Sequence, residues 1–464
     1  MTNIFRIISG ELNKLKQKGS FAQNFAVTFS GTAAVAIIGL LITPIMSRLY
    51  APAAYGLFAV FNSIVANASL FSTFTYPSAF LLPRSAKKFN ALVQLTLLLS
   101  AAMLLIMVLV VSLVHRPLLR WLNAEALGVW VYVIPFTIYL YSLMGIMVSW
   151  YLRTKDFKKR AGIEVTTTLV GRLGTLSAGV LLHGSSTGLL LGDIFAKVVS
   201  VGTMYFSGIH LKLGSVFKSL SWTRLKHIAI EYREYPFFVL PAGYLNMVAS
   251  QLPIFFLTSS FGTAAVGLYA FSTSLMELPI NVIGNAIAPV FLQKATETYE
   301  QDPERLKQIC LDLYNKLFYL GLLPFGIITV YGDWIFKFAF GARWEQAGVF
   351  TAYLGYYYIF KLASYATSPI YAVFRKQRIV LLGTVLLVLC RAASLTLGTY
   401  AHDLNLGMLL FGVSSLVITF LIDMHILHLL KLPVLRVAIR SILLVLVTLA
   451  ILRGLRIGLI HFFS

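Results

Sequence analysis

Residues 53–63 read AAYGLFAVFNS and residues 264–274 read AAVGLYAFSTS. Gly56 aligns with Gly267, and every other position of the pair keeps that same shift of 211 (267 − 56). Each copy opens the second long apolar segment of its half of the chain. An even number of crossings therefore separates the copies, and they share one orientation. Such a repeat is parallel, with its pseudo-twofold axis along the membrane normal. The expected fold is all-α and integral to the membrane: two six-helix lobes around a central cavity, able to rock about a midplane site.

The composition around the repeat agrees. Hydrophobic residues make up 58% of the 464 and charged residues 12%, whereas a soluble chain carries about 25% charged residues. The apolar runs are continuous and long enough to span as helices, which excludes the short alternating segments of a membrane β-barrel. Twelve core spans are expected, at 24–49, 55–82, 90–114, 126–151, 161–183, 187–209, 236–260, 265–292, 313–338, 346–373, 379–400 and 405–430. A further stretch, 434–462, has a short apolar core followed by Arg453 and Arg456. It reads as a thirteenth span, a bent span or a surface helix. The domain order is then a 1–23 interfacial segment with Lys14, Lys16 and Lys18, a 24–209 N-lobe, a 210–235 cytoplasmic connection, a 236–430 C-lobe and a 431–464 C-terminal membrane segment. Trp222, amid Lys218, Arg224 and Lys226, marks an amphipathic interfacial helix in the connection.

The formal net charge is +21. With the N-terminus inside and no cleavable signal before it, the basic loops fall on the cytoplasmic face: Arg84, Lys87 and Lys88, then Arg153 to Arg160, 210–235, 293–312 and Arg375 to Arg378. The outer loops hold little beyond Arg116, Arg120, Lys337 and Arg343. The positive-inside rule accounts for this charge, and the loops leave no room for a nucleic-acid-reading module, so no nucleic-acid partner is expected. The outer loops are also too short to carry a reacting site, so no enzyme and no catalytic residues are expected. Cys310 and Cys390 form neither a metal spacing nor a disulfide framework. No metal or cofactor is expected. Trp121, Trp130, Trp150, Trp334 and Trp344 read as interface belts, and Pro44, Pro77, Pro279, Pro289 and Pro324 as helix kinks.

Four basic residues lie inside spans: Arg172, Lys197, Lys361 and Arg391. A cation at the bilayer centre costs roughly 2.5–3.5 kcal/mol on insertion scales. Such residues face a protein-lined or watery interior and something anionic, so the four are the candidate anion site. Arg172 sits between Gly171 and Gly174, which permit close helix approach. Lys361 follows the aromatic run Tyr356 to Phe360. Lys197 lies four residues after Asp193, on one helix face, which fits either a structural salt bridge or a pair that opens on protonation. Glu277 has no basic residue within one turn and suits a group that takes and releases a proton, or one that pairs with a cation on another helix. Glu277 and Asp193 are therefore the candidate ion-coupling acids, for H+ or Na+. Asp423, with His425 and His428, reads as an interfacial cluster. Arg48, at the periplasmic rim, either steers anionic head groups or anchors the helix end.

Four stretches carry a family resemblance. Residues 41–61 (LITPIMSRLYAPAAYGLFAVF), 187–192 (TGLLLG), 274–297 (SLMELPINVIGNAIAPVFLQKATE) and 340–348 (FGARWEQAG) together resemble the bacterial polysaccharide flippases of the Wzx type. These belong to the multidrug/oligosaccharidyl-lipid/polysaccharide (MOP) exporter superfamily. Arg391 resembles a basic position of that family's eleventh helix. The Arg and Glu the family often carries near the end of its second helix are replaced here by Thr75, Tyr76 and Pro77. The resemblance implies a multi-pass protein of the bacterial inner membrane that moves undecaprenyl-diphosphate-linked oligosaccharide from the cytoplasmic to the periplasmic leaflet. It implies O-antigen, capsule or exopolysaccharide synthesis, with a polymerase and other assembly proteins as partners. The alternatives are a multidrug exporter of the same superfamily, whose cationic cargo would want acids where this chain has cations, and a membrane polymerase or ligase.

Overall fold

The computed structural model describes residues 21–121, 124–217 and 221–463, and among them there is no β-strand. Most of the expected 1–23 interfacial segment, its three lysines included, lies outside the described residues. The long helices are α1 (Phe21–Leu49), α2 (Pro52–Ser72), α3 (Ala86–Trp121), α4 (Ile134–Thr154), α5 (Phe157–Leu181) and α6 (Ser186–Met204). Helical backbone from Leu240 to Gln301 is broken at Gly262 (φ 81°, ψ 175°), which separates α7 (240–261) from α8 (263–301). Then follow α9 (Pro303–Phe340), α10 (Glu345–Val373), α11 (Gln377–Tyr400), α12 (Leu404–Leu429) and α13 (Val434–Phe463). Ten helices are long and apolar enough to cross a membrane, with α7 and α8 counted as one run. The two long helices outside that set, α5 and α10, carry Arg172 and Lys361.

Three boundaries differ from the sequence reading. The second span ends at Ser72, and a short 3-10 turn, Tyr76–Ala79, follows, because Thr75 takes a left-handed φ of 58° before Pro77. α8 continues to Gln301 and α9 starts at Pro303. Asp302 caps α9 by accepting a hydrogen bond from the Arg305 backbone N–H (3.1 Å), with Pro303 at the first helical position. The C-terminal stretch is one continuous helix. Its Arg456 donates to Asp333 and to the Val330 carbonyl of α9, and the Tyr331 hydroxyl donates to the Leu452 carbonyl (3.0 Å). The arginine that seemed to end the apolar core is thus neutralised by α9.

The chain divides into two compact units: 1–42, 61–120 and 125–247 in one, and 43–60, 121–124 and 248–464 in the other. The first has a core of Phe80, Phe89, Trp150, Tyr151, Ile163, Met204 and Ile228. Phe89 meets Phe80 and Trp150 edge-on at 5.5 and 5.1 Å. Arg153 lies over Phe89 and donates to the Phe80 and Pro83 carbonyls (both 2.7 Å). Thr75 and Tyr76, where the resemblance leads one to expect charges, donate to the Tyr235 and Ala229 carbonyls. They fasten the connection, whose helix Trp222–Glu231 buries Leu225 and Ile228 and leaves Trp222 80% exposed.

In the second unit the motif segments meet one another. Trp344 stacks on Phe271 (4.0 Å) and meets Tyr55 edge-on (5.1 Å), while its indole N–H donates to the Ser47 carbonyl (2.8 Å). Trp150 and Trp344, expected in interface belts, are core residues because neighbouring rings bury them. The repeat closes on itself. A Cβ at Gly56 would lie 1.7 Å from the Thr263 carbonyl oxygen, and one at Gly267 would lie 1.8 Å from that of Pro52. Pro52 and Thr263 differ by the repeat shift, so the two copies make one symmetric backbone contact. Both obstacles are backbone, so neither can yield by a side-chain rotation. Gly56→Ala and Gly267→Ala are expected to lower the thermal unfolding temperature in detergent, by the ~1–3 kcal/mol of an overpacked site. Gly145→Ala, whose added methyl meets nothing within 4 Å, should leave it unchanged or raise it. Equal behaviour of all three variants would refute the contact.

Candidate functional site

The second unit gathers two of the four mid-span cations and one of the candidate acids. Arg391, on α11, is 7% exposed. Its Nε donates to Ser415 Oγ (2.9 Å) on α12, Nη1 to the Ala249 carbonyl (3.1 Å) on α7, and Nη2 to the Tyr357 hydroxyl (3.1 Å) on α10. Its guanidinium also lies 4.8 Å from the centre of the Phe411 ring and 5.5 Å from that of Tyr357. These partners are a carbonyl, two hydroxyls and two ring faces, and they engage three of its five N–H hydrogens. No carboxylate is among them, and none of the ion pairs among the described residues includes Arg391.

One helical turn from Tyr357, Lys361 pairs with Glu277 of α8. The Tyr358 hydroxyl donates to the same carboxylate oxygen (3.1 Å). The Lys361 ammonium lies 5.2 and 5.8 Å from the ring centres of Tyr358 and Tyr357. Tyr357 therefore stands between two cations, and the sequence of contacts Arg391, Tyr357, Lys361, Glu277 and Tyr358 is continuous. Two cations against one carboxylate leave the network with a net positive charge. Lys361 and Glu277 are each about a third exposed, at 29% and 30% of their side chains, so the pair is reachable from outside the packed core.

The first unit holds Arg172, Lys197 and Asp193. Asp193 and the buried Lys197 form the i,i+4 pair on α6. Arg172, half-buried on α5, lies beside α1, where a Cβ at Gly39 would stand 3.9 Å from its guanidinium. The glycines bring α5 and α6 together beside both cations: a Cβ at Gly171 would lie 2.5 Å from that of Ala196, and one at Gly192 would lie 2.2 Å from Thr175 Oγ1. Arg48 is exposed in the last turn of α1 and belongs to none of the ion pairs among the described residues. Among those residues there is also no group of three His, Cys, Asp or Glu side chains able to hold a metal ion.

Sequence reasoning missed the neutral partners. Tyr357 and Tyr358 sit four and three residues before Lys361, so helical spacing signals a shared face. Ser415 and the Ala249 carbonyl carry no such signal, since nothing local ties them to Arg391. Asp423, expected in an interfacial cluster, is fully buried and bonded to Ser364 and Thr367.

Ten runs of helix long and apolar enough to cross a membrane make this a multi-pass membrane protein, and its fold resembles those of solved MOP superfamily transporters. The lipid II flippase MurJ, in an inward closed conformation, superposes with a TM-score of 0.69 at 13% identity, covering 93% of this chain and 92% of that one. An inward-facing multidrug resistance MATE family transporter of the MOP superfamily gives 0.64 at 16% identity, covering 92% and 98%. A MOP superfamily transporter from Pyrococcus furiosus, described by a binding pocket of reversed polarity, gives 0.56 at 14% identity, covering 88% and 95%. Residues 45–348 match the family model described as polysaccharide biosynthesis protein; the chain belongs to that family. No curated protein sequence matches it.

The Lys361–Glu277 pair is testable by a double-mutant cycle. Glu277→Gln and Lys361→Met are each expected to lower the unfolding temperature, and the double variant to recover part of the loss, with a coupling of about 0.5–3 kcal/mol. Additive losses would mean that the two side chains do not interact.

Proposed function

We propose that this chain is a flippase that moves undecaprenyl-diphosphate-linked oligosaccharide repeat units from the cytoplasmic to the periplasmic leaflet of the bacterial inner membrane, by alternating access and with its N-terminus in the cytoplasm. The observation that carries the reading is the uncompensated guanidinium of Arg391, held by neutral groups beside Lys361 within membrane-spanning helices. A diphosphate is the complementary charge. Arginine offers it a planar fork of donors, and lysine a mobile point charge. Membership of a polysaccharide biosynthesis family and the likeness of the fold to a lipid II flippase support the same cargo class. The lipid tail stays in the bilayer while the head group travels through the protein.

Both candidate acids sit on candidate cations: Glu277 on Lys361 and Asp193 on Lys197. An incoming phosphate competes with each carboxylate for its ammonium. A displaced carboxylate in a poorly hydrated site takes up a proton or Na+ in place of the lost partner. Cargo binding and ion binding thus become one exchange, and Arg172 and Arg48 are further cations for the anionic head group. The chain performs no bond chemistry, and the repeat unit passes to a polymerase and other assembly proteins. A multidrug exporter would carry cations, which the net positive network disfavours.

The test is a flipping assay in proteoliposomes with a fluorescent undecaprenyl-diphosphate oligosaccharide, with and without a pH or Na+ gradient. Wild-type protein should move the lipid, faster with a gradient. Arg391→Ala and Arg172→Ala should slow it by about tenfold or more, as loss of a charge-assisted bond implies. No movement of any lipid-linked sugar, alongside uptake of cationic dyes, would overturn the reading.

A further inference from the structure

Asp423 lies in α12, six residues before its end, and is 0% exposed. None of the ion pairs among the described residues includes it. Thr367 Oγ1 contacts its Oδ1 at 2.5 Å, and Ser364 Oγ lies 2.9 Å from both Oδ1 and Oδ2. Both hydroxyls come from α10, one turn apart. Each also has a backbone acceptor in its own helix: the Phe360 carbonyl for Ser364 (3.0 Å) and the Ser364 carbonyl for Thr367 (3.2 Å).

Counting hydrogens decides what this arrangement holds. An ionised Asp423 requires both hydroxyl protons and has no cationic side chain paired with it among the described residues, which is the costly state for a carboxylate in a membrane interior. A protonated Asp423 satisfies every group. Its Oδ2–H donates to Ser364 Oγ, Ser364 turns its own proton to the Phe360 carbonyl, and Thr367 continues to donate to Oδ1.

The groups facing Asp423 fit the same assignment. From α9, Cys310 donates to the Ala366 carbonyl (3.4 Å). Tyr314, also on α9, is fully buried; its hydroxyl has no partner at hydrogen-bond geometry, its approach to Ser441 of α13 falling outside that range. Both side chains lie within the electrostatic reach of Asp423. From α10, Tyr371 faces it too and hydrogen-bonds His425 Nδ1 (3.0 Å), which lies half-buried toward the end of α12 that carries the exposed His428. Arg440 of α13 acts on Tyr314 and bonds Asn315.

We propose that Asp423, Ser364 and Thr367 form a proton-binding site that joins α10 to α12, separate from the Lys361–Glu277 pair. The proton is held while the site is closed. It leaves when the helices part enough for water to solvate the carboxylate, and Ser364 then turns its hydrogen from the Phe360 carbonyl to the carboxylate. The site stands whether or not the cargo is a lipid-linked sugar.

The test is infrared difference spectroscopy of the full chain in lipid nanodiscs across a pH titration, which reads the C=O stretch of a protonated carboxyl group. The wild type should show such a band, lost at high pH and absent in Asp423→Asn. In Ser364→Ala the band should persist at a higher frequency, because a hydrogen bond to the carboxyl is lost. That second variant keeps the acid, so the assignment remains testable if Asp423→Asn fails to fold. A band that survives Asp423→Asn, one indifferent to Ser364→Ala, or one removed by Na+ at constant pH would each overturn the proposal.

Discussion

A charge inside hydrocarbon must be neutralised, delocalised or hydrated, and that constraint organises this molecule. Each buried ionisable group has met it differently. Lys197 and Lys361 are paired with carboxylates. Arg456 is pinned by Asp333 and a helix carbonyl. Arg391 is spread over a carbonyl, two hydroxyls and two rings. Asp423 has hydroxyl partners alone. The residues that leave net charge behind are those on which the proposed anionic cargo rests. A purely structural bundle would have no reason to retain them, because apolar residues of similar volume pack as well or better.

The scaffold that holds these groups rests on small residues and rings. Gly56 and Gly267 let the repeat copies touch backbone to backbone, and the Trp344 knot of Tyr55, Phe271 and Phe340 locks the segments that carry the family pattern. The motif segments place α2, α8 and the start of α10, and one of them carries Glu277, whose partner Lys361 lies outside the motifs on α10, as does Arg391 on α11.

Much of this was legible in the sequence for stated reasons. Apolar run length located the spans, and the 211-residue shift located the repeat, because both are local or self-comparing signals. Arg391 stood out as a mid-span cation, and Asp193 with Lys197 as an i,i+4 pair. The partners of Arg391 did not, since Ala249 lies 142 residues away and Ser415 24 residues away, and periodicity does not say which helices neighbour. Glu277 looked solitary along the chain but finds Lys361 across 84 residues. Trp150 and Trp344 were misplaced because belt statistics ignore ring packing. Asp423 was misplaced because two nearby histidines suggest an interface, while Ser364 and Thr367, which bury it, are 59 and 56 residues away.

The central claim is that the Arg391–Lys361 network recognises a diphosphate. Its most direct measurement is equilibrium binding of undecaprenyl diphosphate and of undecaprenol, which share a tail and differ in the charged head, to wild-type protein and to Arg391→Gln with Lys361→Met. Much tighter binding of the diphosphate by the wild type is expected, with near-equal, weak binding of both lipids by the double variant. Equal affinity of the wild type for the two lipids, or a diphosphate preference that survives loss of both cations, would contradict it.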